Sequence, residues 1–257
     1  MSTASYFGKA LTEDSFELIR QAGVEVCEVF LTTFSEYEVE FGKLLKERLG
    51  NLRVHSVHTL TNQFEPQLFN RADRTRADAF KILDKVCQIM KILDAKYYTF
   101  HGASVLKRSQ LNVNYEYECL RTREICEKIK EYGGELTYEN VHWATYRNPS
   151  FMEELHKYLP ELKTCLDIKQ AMQSGFDYKE YLRVDGKSLK TVHVCDYDGD
   201  GLCPPGRGKF DFSEFFKRLR DTGYDGPIMI ELYSRDYDSF DEVRESVDYL
   251  KNILERI

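Results

Sequence analysis

The 257-residue sequence lacks the features that would mark it as disordered, secreted or membrane-spanning. It has only six prolines and is 42% hydrophobic, a composition typical of a chain with a large folded core. No apolar run approaches the roughly 20 residues that span a bilayer. Residues 1–16 also lack the basic and apolar regions of a signal peptide. These absences predict a cytoplasmic protein without a membrane segment.

Neither the cysteine spacing nor the charge is typical of a disulfide-rich, zinc-finger or DNA-binding protein. The seven cysteines are an odd number and show neither a C-x-x-C pair nor zinc-finger spacing, so we expect them to be reduced and buried. Acidic residues outnumber basic ones by 43 to 36, for a net charge of -7. Because duplex DNA binding normally requires a basic surface, a small polar substrate or a metal ion fits better than nucleic acid.

What is present is a regular alternation of strand and helix patterns. Seven segments have strand character, each is followed by a helical segment, and a weak eighth strand is expected at residues 4–9. The seven predicted strands are 24–31, 53–60, 97–101, 135–141, 162–168, 189–195 and 227–233. This alternation predicts an α/β fold with a parallel sheet, and eight such units in about 250 residues are the size of a (β/α)8 TIM barrel.

Domain organisation and helix boundaries follow from the same patterns. No linker divides the chain, so one domain over residues 1–257 is predicted. An open doubly wound sheet is the alternative, although the glycine-rich phosphate turn of nucleotide-binding folds is missing. We expect a helix capped by Thr12, an unbroken helix from Phe34 to Leu49, and an N-cap at Asp211.

Four successive predicted strands end in ionisable side chains: Glu139, Asp167, His193 and Glu231. Their spacing is close to one strand–helix unit each, so in a barrel they would lie at equivalent heights around one mouth. The three carboxylates at that mouth would repel one another unless a cation balanced them. This donor set suits one divalent ion, Mn, Mg or Co, with Zn also compatible. The alternative is a set of separate salt bridges to nearby lysines and arginines.

Polar and aromatic residues surround these positions in the sequence. The predicted substrate contacts are His58, His101, Trp143, Lys169, Gln170, Asp196, Asp198 and Arg235. An aromatic face beside hydrogen-bonding groups suits a small carbohydrate, although Trp143 could equally serve in packing. A phosphorylated substrate would need a cation at the mouth, and the candidates are Lys107, Arg108, Lys169, Arg207 and Arg235.

These residues resemble the xylose isomerase-like barrels, especially the sugar phosphate isomerases and epimerases. The resemblance spans essentially the whole chain. It rests on Glu139-Asn140, Asp167, Glu231 and two strings, His193-x-x-Asp196-x-Asp198-Gly199 and Pro205-Gly206-x-Gly208-x-x-Asp211-Phe212. The strings are its most specific part.

The resemblance implies an enzyme that binds one divalent metal ion through Glu139, Asp167, His193 and Glu231. It also implies that Glu139 and Glu231 act as acid and base on a metal-held hydroxy-ketone, through a cis-enediolate. The expected reaction is isomerisation or epimerisation of a sugar, sugar acid or sugar phosphate. A homo-oligomer is compatible with this reading.

The sequence departs from its relatives at two places. Ketose 3-epimerases have a His where Gln170 stands and an Arg near Asp198 and Gly199, so the resemblance does not identify the sugar. The type IV apurinic endonucleases, which use three zinc ions, offer a phosphodiesterase alternative, since His58 and His101 resemble two of their ligands. The sequence lacks two of their other histidines, at Gln170 and near Cys203. A related polyol dehydratase and a non-catalytic ligand-binding barrel also remain open.

Overall fold

The computed structural model describes residues 1–60, 63–105 and 113–257. Its strands are β1 (Val26–Leu31), β2 (Arg53–Thr59), β3 (Tyr97–Phe100), β4 (Glu135–Glu139), β5 (Lys163–Asp167), β6 (Leu189–Val194), β7 (Asp196–Tyr197), β8 (Leu202–Cys203) and β9 (Ile228–Ile230). In the described ranges, seven of them form a parallel sheet in the order β1-β2-β3-β4-β5-β6-β9, which curls into a nearly closed barrel. The predicted TIM barrel fold is therefore confirmed. A short antiparallel hairpin, β7–β8, was not predicted.

Helices surround the sheet and follow the predicted order. They are α1 (Ser15–Gln21), α2 (Val39–Arg48), α3 (Asp73–Ile92), α4 (Tyr115–Lys130), α5 (Pro149–Tyr158), α6 (Ile168–Ser174), α7 (Tyr178–Asp185), α8 (Phe212–Asp221) and α9 (Phe240–Leu254). The predicted N-cap at Asp211 is confirmed, since its carboxylate accepts a hydrogen bond from the Glu214 N–H. The predicted cap at Thr12 is wrong, because α1 begins after Asp14. The expected helix 34–49 is interrupted by extended backbone at Glu38. None of the described helices has the length and apolar character needed to cross a bilayer.

The two faces of each barrel strand have different chemistry. On β1, Cys27, Val29 and Leu31 are buried in the apolar core that the helices cover. Glu28 alternates with them and is also fully buried, so its side chain projects into the barrel interior instead. The interior therefore contains polar groups, and the apolar core lies between the strands and the helices.

Among the residues that the structure describes, the seam between β1 and β9 is bridged by the N-terminal segment and not by an eighth strand of the sheet. Ser2 makes a single parallel bridge to Glu28, and its N–H donates to the Ile230 carbonyl at 3.0 Å. The chain then turns into a 3-10 helix, Thr3–Tyr6, where the Ser2 hydroxyl accepts from the Ala4 N–H. The strand expected at residues 4–9 does not form, because the Ser2 side chain satisfies the backbone locally.

Asp185, at the end of α7, is a buried carboxyl group outside the strand ends. It is 1% exposed and accepts a hydrogen bond from the Tyr146 hydroxyl at 2.5 Å. Burial raises the pKa of Asp185 from 3.8 to about 7, against smaller opposing effects of Tyr146 and Thr164. Folding therefore favours the protonated carboxyl group.

We expect Asp185→Asn to stabilise the protein above pH 7 and to flatten its pH dependence. Because folding raises the pKa of Asp185, the stabilisation by this group is complete below about pH 4 and lost as the pH rises through about 7. The slope is about 1.4 kcal/mol of unfolding free energy per pH unit. Asparagine can accept the same Tyr146 bond without a charge. Urea unfolding of both proteins from pH 5 to pH 8 measures the effect, and equal pH dependence of the two would contradict it.

Candidate active site

Four ionisable side chains from successive strands meet at the carboxyl end of the barrel. Glu139 ends β4, Asp167 ends β5, His193 lies next to the end of β6, and Glu231 directly follows β9. One ligand atom of each lies within 4.8 Å of the others, and none of the four is more than 7% exposed. The parallel register explains the meeting, since Asp167 pairs with His193 and the strand ends align.

His193 and Asp167 are held in different ways. Nδ1 of His193 lies 3.0 Å from Oε1 of Glu139 and 3.5 Å from Oε2 of Glu231. The side-chain amide of Asn140 forms two hydrogen bonds with the backbone of Asp167. It donates to the Asp167 carbonyl at 2.9 Å and accepts from the Asp167 N–H at 2.7 Å. Oδ1 of Asp167 caps α6 through the Gln170 N–H, at 3.0 Å. Oδ2 of Asp167 is buried and accepts no hydrogen bond from the described residues.

A buried ammonium group lies among the carboxylates. Nζ of Lys169 is 3.0 Å from Oε2 of Glu231 and 3.3 Å from Oδ2 of Asp167. It also lies 4.5 Å from the centroid of the Tyr233 ring, a cation–π distance. Burial alone would lower the pKa of Lys169, but Asp167 and Glu231 outweigh burial and hold this pKa well above its usual value. Lys169 is therefore a fixed positive charge in the site.

Burial and charge pairing shift the pKa values of the ionisable groups in this cluster. Burial, with the neighbouring carboxylates, raises the pKa of Asp167 to about 6. Burial would raise the pKa of Glu231 as well, but Lys169 and His193 hold it well below its usual range. Burial would lower the pKa of His58, whereas Glu231 and Glu28 raise it to about 10. Protonated imidazole and the Lys169 ammonium thus balance the carboxylates.

The residues present fit a divalent cation. Three carboxylates and one imidazole form an oxygen-rich donor set, and Oδ2 of Asp167, 3.3 Å from the Lys169 ammonium, accepts no hydrogen bond from the described residues. The 3.0 and 3.5 Å separations around Nδ1 of His193 are close to about 3.4 Å, the edge of a tetrahedron with metal–ligand bonds of about 2.1 Å. The cluster could therefore hold a metal ion.

Two further histidines stand next to this cluster. Nε2 of His58 and Nε2 of His101 are 2.7 Å apart, and the latter is 3.2 Å from Oε2 of Glu139. Glu65, which begins a 3-10 helix after β2, orients His101. Its Oε2 accepts the His101 N–H and faces Nδ1 of the ring, both at 3.1 Å. His58, His101 and Glu139 together form a second group that could hold a cation.

A cavity of about 250 Å³ opens above these groups. Its polar lining includes His58, His101, Glu139, Lys169, Gln170 and Glu231. Phe30, Leu60, Val141, Trp143 and Tyr233 supply much of the apolar lining. The Trp143 ring is partly exposed and lies 5.6 Å from the His101 ring, between centroids. Five of the eight predicted substrate contacts therefore line one cavity together with Glu139 and Glu231.

The other three predicted contacts lie outside the lining of this cavity. Asp196 is buried, and its carboxylate accepts from the backbone N–H groups of Tyr197, Gly206, Gly208 and Phe210. Asp198 accepts from the backbone of the exposed turn at Asp200 and Gly201. The side chain of Arg235 is 80% exposed beside Asp236. A substrate role for these three stays a prediction.

The loop of residues 195–210, called the clasp loop below, is held together by hydrogen bonds to the Asp196 carboxylate. Because the Asp196 carboxylate accepts from the amides of residues 206–210, it ties the β7–β8 hairpin to the approach of α8. A Cβ on Gly208 would meet Oδ1 of Asp196 at 2.2 Å, so only glycine allows this approach. The two strings that carry the family resemblance therefore stabilise the conformation of the loop beside His193.

The described candidate phosphate contacts differ in their position relative to the cavity. Lys107 and Arg108 lie outside the described residues. Arg207 pairs with Glu245 on α9 at 2.8 Å, away from the cavity lining. Among the described lysines and arginines, Lys169 alone lines the cavity.

Sequence reasoning missed Glu28, Glu65, Phe30 and Tyr233. Glu28 and Phe30 both lie in a strand that was interpreted only by its apolar alternation. The one available signal was an acidic residue at an interior position between Cys27 and Val29. Glu65 lies in a polar loop and gave no signal, since its role depends on a distant histidine.

Comparisons with solved structures agree with the fold. A D-tagatose 3-epimerase-like protein superimposes with a TM-score of 0.81 at 20% identity, with 100% of this chain and 96% of that chain covered. An L-ribulose 3-epimerase gives 0.80 at 14% identity, covering 100% and 94%. The 3-keto-D-glucoside 4-epimerase YcjR from E. coli gives 0.74 at 15% identity, covering 94% of both chains. A comparison with curated proteins gives no match.

The family itself is shown by a sequence model. The model of the xylose isomerase-like TIM barrel matches residues 16–253, which is nearly the whole chain. The match includes all four strand-end residues and the clasp loop. The chain belongs to the xylose isomerase-like TIM barrel family.

Proposed function

We propose that the protein is a metal-dependent epimerase or isomerase of a small sugar. The observation that carries the proposal is the placement of two carboxylates, Glu139 and Glu231, which both line one cavity and lie 3.0 and 3.5 Å from Nδ1 of the buried His193. Structural neighbours that are named as sugar 3- and 4-epimerases support the same reaction class.

The proposed chemistry is proton transfer at a carbon next to a carbonyl group. One of the two glutamates removes the proton, and the electrons of the broken C–H bond form an enediolate of the sugar. The other glutamate returns a proton to the opposite face of the same carbon for epimerisation, or to the neighbouring carbon for isomerisation. A divalent ion in the site would polarise the carbonyl and hydroxyl oxygens.

The cavity supports a small and largely neutral substrate. Its volume of about 250 Å³ lies below the range usual for drug-sized ligands, which favours a monosaccharide. Trp143 offers an apolar face, while His101 and Gln170 offer hydrogen-bonding groups. Lys169 already balances Glu231 and Asp167, so the described wall leaves little charge for a phosphate. We therefore favour an unphosphorylated sugar.

We expect about one divalent ion per chain after dialysis with Mn, Co, Zn or Mg, measured by elemental analysis. The loaded protein should then catalyse incorporation of solvent deuterium into members of a ketose panel, as followed by NMR. Exchange without water loss distinguishes this reaction from that of a polyol dehydratase. One bound ion without exchange on any sugar would contradict the catalytic proposal and favour a ligand-binding barrel.

A second candidate, a metal-dependent phosphodiesterase, is favoured by the group of His58, His101 and Glu139. Ligand atoms of these residues lie within 4.8 Å of one another, so the site could take a second ion. Gln170 and the net charge of -7 weigh against this candidate. Two or three zinc ions per chain, with cleavage of abasic DNA that weakens as salt rises, would support it instead.

A further inference from the structure

We infer that Glu28 is a positioning residue that sets the orientation and tautomer of His193 for cation binding. The inference rests on the proposed metal-dependent function. Glu28 is neither one of the four strand-end residues nor part of the cavity lining. It acts from β1, on the opposite side of the His193 ring from Glu139.

The two ring nitrogens of His193 face different surroundings. Nδ1 faces Glu139 and Glu231, as described above. Nε2 lies 3.0 Å from Oε1 of Glu28. Both atoms are buried, and neither meets the geometry of a hydrogen bond to any described residue in this structure. Each is therefore placed to serve as the partner of the other.

Glu28 is itself fixed from two neighbouring strands. Its Oε2 accepts the Ser56 hydroxyl of β2 at 2.8 Å and the Thr99 hydroxyl of β3 at 2.7 Å. The side chain is fully buried, so these two bonds determine where Oε1 points. Oε1 also lies 3.4 Å from Nδ1 of His58. Glu28 thus links the orientations of two imidazoles at the site.

This arrangement decides which nitrogen of His193 is available to a cation. An imidazole binds a metal through a nitrogen that carries no proton, and the proton of the neutral ring must then reside on the other nitrogen. With a carboxylate beside Nε2, the proton resides on Nε2 and the Nε2–H donates to that carboxylate. Nδ1 then carries no proton, and its lone pair faces Glu139 and Glu231. A carboxylate with only a packing role would not need an oxygen directed at Nε2.

The test is Glu28→Gln, which keeps the shape and removes the charge. If the glutamine oxygen keeps the hydroxyl bonds of Ser56 and Thr99, its NH2 group faces Nε2 and opposes the required tautomer. We expect Zn²⁺ or Mn²⁺ affinity, measured by chelator competition, to fall about 10- to 100-fold. In the Zn²⁺-loaded protein, the exchange-protected Nε2–H proton resonance of His193 should be lost or shifted upfield. A loss of packing alone would not move that resonance selectively.

Asp185→Asn is the matched control, because it also converts a buried carboxyl group to an amide but lies away from the site. It should leave both the metal affinity and the His193 resonance unchanged. If Glu28→Gln does not fold, the double variant Ser56→Ala and Thr99→Val keeps the carboxylate but frees it, and it should lower affinity in the same direction. Wild-type affinity in the variant that folds would overturn the inference. If His193→Ala also keeps wild-type affinity, the proposed metal site itself fails.

Discussion

Replacing Glu231 with glutamine should lower turnover of any sugar that the protein exchanges by about 100- to 10,000-fold, the usual contribution of a general acid or base. The amide cannot accept or return a proton, but it retains the size of the carboxylate and a neutral oxygen for a cation. Glu231 also contacts Lys169, whose ammonium would keep Asp167 as a partner, so the fold should survive. Deuterium exchange at saturating metal concentration measures the loss.

The control for this substitution is Glu245→Gln on the surface of α9. Glu245 has the same side chain but is largely exposed and pairs with Arg207, so we expect wild-type turnover. Metal content must be measured for both variants, because loss of the ion would mimic loss of the proton carrier. Full activity in a metal-loaded Glu231→Gln protein would remove Glu231 from the acid–base pair.

Replacing His193 with alanine should nearly abolish metal binding. His193 supplies the one nitrogen in the group of four, and its Nδ1 lies 3.0 and 3.5 Å from two of the three carboxylates. Its removal should weaken binding by more than the roughly 10- to 100-fold that loss of a ligand's supporting partner costs. Elemental analysis after dialysis measures the ion content per chain.

His55→Ala is the matched control for that experiment. His55 is likewise buried, but at the opposite end of the strands, where its Nε2 lies 3.0 Å from the Lys190 carbonyl. Burial lowers the pKa of His55 to about 4, so the ring adds no positive charge to the site at neutral pH. Its loss should affect stability without affecting metal content. Equal metal content in the two alanine variants would exclude His193 as a ligand.

The four strand-end residues could be predicted because barrel geometry converts sequence spacing into spatial proximity. Once strands and helices alternate, the carboxyl ends of strands must share one face, and Glu139, Asp167, His193 and Glu231 occupy that position on successive strands. The positions of His58 and His101 follow from the same geometry. Predicting the fold was therefore enough to bring these residues together.

The remaining features depend on contacts that spacing does not determine. Glu28 acts on a ring 165 positions later in the chain, and only the barrel interior brings the two together. Asp196 was predicted as a substrate contact because it follows a strand end, yet its carboxylate is engaged by the amides of its own loop. The seam at Ser2 depends on a local side-chain bond that competes with the sheet.

The Lys169 ammonium has a consequence for the order in which the protein is assembled. Its contacts with Glu231 and Asp167 neutralise part of the repulsion that would otherwise oppose closure of the barrel mouth. We therefore expect the chain to fold without a bound ion, unlike small domains whose folding requires the metal. In the proposed metal-dependent protein, the ion would then add positive charge to a mouth whose carboxylates Lys169 already partly balances.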